Sequence, residues 1–187
     1  MNREEYLNGV SVIAEMNVDD LDRVRSVLLN GMGRPNRRSV IDRFLEKGFA
    51  FESLIHPSSS IGDFVSIGVG TIIQSGVGIM TNVGLGKFLL IDINATIGHD
   101  VTIGNYTTIS TGSNIAGNVT IGQGCWIGSG SILIERVSIG DNSLIGAGSV
   151  VTGDIEKRKR VNGITLILSL AKAILMTDWG RNTRAVE

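Results

Sequence analysis

From Ile61 to Val151 every sixth residue is aliphatic, with nothing inserted or lost along the way. Thirteen of these sixteen positions are Ile; the others are Leu85, Leu133 and Val151. Two residues before most of them stands a small or branched residue, such as Val65, Val83, Ala95, Val101, Cys125 or Val137. A spacing of two puts both side chains on one face of a strand, pointing inward. Three residues after the aliphatic, ten of the sixteen positions are Gly or Asn, from Gly70 and Gly76 to Asn142 and Gly148. Those two residue types tolerate positive φ, so a corner is expected there every six residues. A strand and a corner in each six residues make a coiled prism whose stacked coils bury one another's inward side chains. With three sides per coil, sixteen repeats give about five coils of eighteen residues.

The same arithmetic sorts the outward positions. One side carries Ile72, Leu90, Thr108, Trp126 and Leu144; another carries Ser66, Gly84, Thr102, Thr120 and Ser138. The apolar stripe predicts a covered side, with another subunit as the expected cover.

The flanks differ in kind. "VRSVLLNGMG" reads as a buried strand, "RPNRRSVIDRFLEKG" as a helix closed by Gly48, and "GFAFESLIHP" as a strand leading into the prism. "DDLDRV" predicts a further helix upstream. The expected organisation is a small α/β unit at 1–53, the β-helix at 54–155, and a C-terminal loop, helix and tail at 156–187. The apolar run "ITLILSLAKAILM" is too short to span a bilayer and contains Lys172. It predicts a helix packed on the last coil or on a neighbour. The net charge of −1 argues against nucleic acid as a partner. A single cysteine and a charged N-terminus fit a reducing, cytoplasmic setting.

The chain has two histidines. His99 stands two residues after Ile97, at a corner, where a side chain points away from the core. It is either a general base, with Asp100 holding its tautomer, or a surface histidine beside a turn acid. Eighteen residues on lies Gly117, in the same corner column and one rung away, roughly 4.8 Å. A backbone N–H there could seat a carbonyl oxygen as it gains charge, or Gly117 is a plain turn glycine. Thr111, Ser129 and Ala147 form another column of small side chains. That column leaves room for an extended arm, or simply suits a corner. His56 reads as structural, Cys125 as packing rather than nucleophile, and Lys157 to Arg160 as a solvated loop.

Four phrases, "HPSSSIGDFVSIG", "ATIGHDVTIGNY", "NIAGNVTIGQGCWIGSGS" and "VSIGDNSLIGAGSVVTGDI", carry a resemblance over roughly Leu54 to Asp154. Together they resemble the hexapeptide-repeat acyltransferases of the sialic-acid O-acetyltransferase type. These include enzymes that N-acetylate nucleotide-linked sugars. "GHD" followed by "AGNVTIG" is the specific part. The resemblance implies a mainly β protein, a left-handed parallel β-helix with a partial Rossmann-like N-terminal unit, assembled as a homotrimer. It implies direct transfer from acetyl-coenzyme A to a sugar or nucleotide-sugar amine or hydroxyl, with no metal. His99 would be the base, Asp100 its orienting acid, and Gly117 the N–H donor to the thioester oxygen. Thr108, Gly117, Ser129 and Ala147 would lie along the coenzyme.

Three departures qualify this. Thr108 occupies a position that often holds a second histidine, and a hydroxyl cannot take up a positive charge. "NGITLILSLAK" replaces the usual Gly-x-Pro-Ala ending, and no glycine-rich turn opens the N-terminal unit. A non-catalytic assembly module and an acyl-carrier-protein-dependent acyltransferase are therefore the competing readings. A β-helix carbonic anhydrase needs three zinc-binding histidines, more than the chain has.

Overall fold

The computed structural model describes residues 5–7, 10–12, 26–31 and 37–161. The helix expected at "DDLDRV" and the apolar run 164–176 lie outside them. β1 (Glu5–Leu7) and β2 (Val10–Val12) form an antiparallel pair. β3 (Val27–Leu28) and β4 (Ala50–Phe51) pair in parallel across α1 (Arg37–Glu46), giving one small βαβ unit.

Helix α1 ends as its sequence requires. Gly48 takes φ 83°. The Phe49 N–H donates to the Phe44 carbonyl and the Gly48 N–H to the Leu45 carbonyl. These two bonds satisfy carbonyls that the last turn would otherwise leave open. β3 is a strand as expected, but it is not a buried one: Val27 is 57% exposed. With β4 as its one partner strand among the described residues, only its alternate residue Leu28 reaches the cluster of Ile41, Phe51 and Phe88.

From Leu54 onward the chain coils through two-residue strands stacked into three parallel sheets of seven, six and five strands. That is about six turns. The register is the eighteen-residue step read from the sequence, as in Leu90 opposite both Ile72 and Thr108. Inside, the aliphatics stack in columns; Ile73, Ile91, Ile109, Ile127 and Ile145 are all at most 1% exposed. Each such side chain contributes about 1.5–3 kcal/mol of burial free energy, so the stack itself is the core. The extra turn comes from both ends. Leu54–Ile55 adds a rung below, and Arg160–Val161 adds one above, opposite Leu144–Ile145. The upper rung escapes a count by sixes because the loop after Val151 is two residues short. Ile155 bridges Ile139 across sixteen residues instead of eighteen. Asp154 closes that short loop by accepting the Ser138 N–H at 2.7 Å.

All ten Gly and Asn corners take positive φ. So do Phe64, Phe88, Asp100, Tyr106 and Arg136, which complete the same six-residue register. The left-handed conformation costs such residues about 1–2 kcal/mol each, which the stacked rungs above and below offset.

The apolar stripe is covered in part by the chain itself, where the pattern had suggested another subunit. Helix α1 lies on it. Arg37 donates through Nη1 to Thr108 Oγ1, and through Nη2 to the carbonyls of Tyr106 at 2.8 Å and Thr107 at 2.9 Å. Ile41 packs with Phe51 and Phe88. Phe88 stacks on Tyr106, one rung up, with ring centroids 5.3 Å apart. The Tyr106 hydroxyl donates to Asp42 at 2.9 Å. Arg37, Ile41 and Phe44, at i, i+4 and i+7 of α1, thus face the corner, as Phe44 packs on the same cluster.

Candidate active site

His99 and Asp100 sit at one corner, pinned by the rungs on either side. The Asp100 N–H donates down to the Thr81 carbonyl at 3.2 Å, and the His99 carbonyl accepts the Asn118 N–H from above at 2.9 Å. Asp100 takes φ 59°, one of the left-handed corner residues. Its Oδ2 lies 2.7 Å from His99 Nδ1, with both side chains a little over two-fifths exposed. Its Oδ1 accepts the Asn82 side-chain amide at 2.5 Å. The hydrogen bonds from His99 and then Asn82 hold the carboxyl below its ordinary range. Asp100 is therefore an anion near neutral pH. It favours the imidazole tautomer with its proton on Nδ1, which leaves the Nε2 lone pair free.

Nε2 faces Gly117. A Cβ placed on Gly117 would fall 2.6 Å from Nε2 and 2.7 Å from Cε1. The ring occupies the space a side chain would need, so any residue but glycine there would displace it. The Gly117 carbonyl accepts the Arg136 N–H at 3.2 Å, while its own N–H has no acceptor among the described residues. The corner geometry leaves this amide free throughout the column. Gly117 itself is buried, with the His99 ring packed against it.

A groove of about 560 Å³ runs past these groups. Met80, Ile97, Gly98, His99, Ala116, Gly117 and Glu135 line it, together with Ser60, Gly78 and Thr96. It is a wide, mostly apolar trough with one base and one acid at its edge. Sequence reasoning missed Glu135 and Asn82. Counting eighteen back from Asp100 reaches Asn82, and eighteen on from Gly117 reaches Glu135, so the register held both.

The other expected residues lie elsewhere. Thr108 is on a different side of the prism, 1% exposed beneath Arg37. Ser129 and Ala147 are exposed and stacked above Thr111 as expected, linked by Gly130 N–H to Thr111 at 2.9 Å and Gly148 N–H to Ser129 at 2.8 Å. Within one chain none of the three lines the His99 groove. His56 is exposed and folds onto its own turn, with Nδ1 2.9 Å from Ser58 Oγ. Cys125 fills an inward slot; burial pushes its thiol pKa up, as expected of packing. Lys157 to Arg160 are exposed. Among the described residues no three His, Cys, Asp or Glu side chains are grouped to hold a metal ion. No helix among them is long and apolar enough to cross a membrane.

The bacterial transferase hexapeptide family model (six repeats) matches residues 118–153. No curated protein sequence matches the chain. Among solved structures, PerB from Caulobacter crescentus, in complex with CoA and GDP-perosamine, is 28% identical with a TM-score of 0.80. The match covers 85% of this chain and 78% of that one. The acetyltransferase domain of PglB from Neisseria gonorrhoeae FA1090, in complex with acetyl coenzyme A, is 25% identical with a TM-score of 0.81, over 87% and 80%. WeeI from Acinetobacter baumannii AYE is 25% identical with a TM-score of 0.80, over 85% and 78%. The chain thus carries the transferase hexapeptide repeat and resembles sugar N-acetyltransferases that share its left-handed parallel β-helix.

Proposed function

We propose that this protein transfers the acetyl group of acetyl-coenzyme A directly to an amine of a sugar, most simply a nucleotide-linked one. The carrying observation is the His99 imidazole, with Nδ1 at 2.7 Å from Asp100 and Nε2 against the bare backbone of Gly117. That is a base, its orienting acid and a candidate oxyanion donor within one rung of each other. Similarity to enzymes crystallised with CoA and GDP-perosamine supports the substrate class.

In this reading His99 Nε2 takes a proton from the acceptor amine as its nitrogen attacks the thioester carbonyl. The Gly117 N–H donates to the oxygen as it becomes negative. The C–N bond forms, the C–S bond breaks, and the proton passes from His99 to the departing CoA thiolate. Asp100 stabilises the imidazolium in between. No covalent enzyme intermediate is required.

The active form is a homotrimer in this reading. A neighbouring subunit would supply the column of Thr111, Ser129 and Ala147 along which the pantetheine arm runs. Thr108, buried beneath Arg37, takes no part in the coenzyme site in this reading. The protein would act in the cytoplasm, where acetyl-coenzyme A is made and used.

The test is calorimetry of acetyl-coenzyme A with the wild type and His99→Ala, followed by thiol release with a panel of nucleotide-linked amino sugars. Micromolar binding to both proteins, with transfer by the wild type alone, is the expected result. Absence of binding to either would leave the assembly-module or acyl-carrier reading in its place.

A further inference from the structure

Asp100 has two carboxylate oxygens, and the structure occupies both. Oδ2 meets His99 Nδ1 at 2.7 Å, and Oδ1 accepts the Asn82 side-chain amide at 2.5 Å. Asn82 lies one rung below Asp100 in the same corner column, and both take left-handed backbone, at φ 58° and 59°. Asn82 is itself fixed, since its N–H donates to the Asp63 carbonyl at 3.1 Å. The side chains therefore form a chain of three, Asn82 to Asp100 to His99, running up the column from a pinned corner.

Without Asn82, an exposed aspartate beside a half-exposed imidazole is free to turn about χ1 and χ2. Water can then replace His99 as its partner. An amide donor on the far oxygen removes that freedom and holds the carboxylate plane toward Nδ1. We propose that Asn82 is a positioning residue for His99: it acts through Asp100 to fix the imidazole as the Nδ1–H tautomer with Nε2 open toward Gly117. This rests on the acetyl-transfer reading for its consequence in catalysis, but the tautomer itself can be read without any substrate.

The chain has only His56 and His99. Long-range nitrogen–proton NMR of the ring signals in uniformly ¹⁵N-labelled protein therefore reports both, with His56 as an internal control and His56→Gln to assign them. The variant is Asn82→Gly, because glycine accepts φ 58° without strain. A second variant, Asn82→Asp, keeps the size and places a like charge against Asp100. The expected result is an Nδ1–H tautomer at His99 in the wild type. In both variants it gives way to the Nε2–H form that a free imidazole favours, with His56 and the melting temperature unchanged. In an acetyl-transfer assay kcat falls about tenfold, a fraction of the 10²–10⁴-fold a general base contributes, with KM for acetyl-coenzyme A within about twofold. An unchanged His99 tautomer in Asn82→Gly overturns the proposal, as does a wild type lacking the Nδ1–H form. A tautomer change with no acetyl transfer by the wild type leaves the positioning role standing and removes the acetyltransferase reading instead.

Discussion

Gly117 and His99 are in contact through the absence of a side chain: a methyl group on Gly117 would lie 2.6 Å from Nε2. Backbone and ring cannot both keep their places if that methyl is added. The Gly117 backbone is held by the rungs on either side, so the ring must give way.

Gly117→Ala is therefore expected to turn the imidazole off Asp100 and lose acetyl transfer by about 10²-fold or more. Its melting temperature should stay within a few degrees of the wild type, because the inward stack is untouched. Steady-state kinetics beside a thermal melt checks this. Activity near the wild-type level would mean that the ring does not work from the position observed.

The carboxyl of Asp100 is held low by its bonds to His99 and Asn82. Its folded value lies below that of the unfolded chain, about 3.9. The stabilising contact is then fully present above that value and lost as pH falls through the lower folded one. Activity should show no step attributable to Asp100 at neutral pH. Carbon NMR of the Asp100 carboxyl should show its midpoint shifted up in Asn82→Gly. A midpoint that does not move would detach Asn82 from Asp100.

Arg37 is a buried cation, 2% exposed, whose pKa burial lowers to about 10. It donates to the Thr108 hydroxyl and to three carbonyls. Arg37→Met would take that donor from the Thr108 hydroxyl and from the Phe88 and Tyr106 carbonyls, while the Thr107 carbonyl keeps the Leu90 N–H, at a cost of about 3 kcal/mol. A fall of roughly 6 °C or more in melting temperature is expected. Activity per folded molecule should hold, since Arg37 is on the side of the prism away from the groove. A stable variant would show that α1 docks by its apolar residues alone.

Cys125 is 2% exposed, with its thiol 3.3 Å from the Gly140 carbonyl. Iodoacetamide should leave it unmodified until the β-helix is unfolded, and Cys125→Ala should keep full activity. Mass spectrometry with and without denaturant separates this from a reactive thiol.

The prism was legible because its signal is arithmetic. Inward aliphatics recur at a fixed step, and the backbone hydrogen bonds leave little choice of register. The corner column of His99 and Gly117 followed from the same count. Three things did not. The left-handed backbone at Phe88 and Tyr106 carries no signature in the residue itself, because neighbouring rungs impose that conformation against preference and only the six-residue step marks these corners. The upper rung at Arg160–Val161 was hidden by two missing residues. The cover over Thr108 came from α1, far away in sequence, and no periodicity within the repeat announces what packs on it. Residues 1–53 do contain the strand and helix their pattern predicts, but β3 is more exposed than its apolar letters suggest.

The groups that grip the imidazole come from three successive turns, at Asn82, Asp100 and Gly117, which span thirty-six residues of chain. A stacked coil loses structure from its ends inward, since terminal rungs have one neighbour and interior rungs two. His99 lies in the third of about six turns, so fraying at either end must melt whole rungs before it reaches the grip. Each of the three turns is also useless for this purpose without the other two. The site is thus all-or-none with respect to partial unfolding: protected while the middle of the stack persists, and lost in one step when any of those three rungs opens.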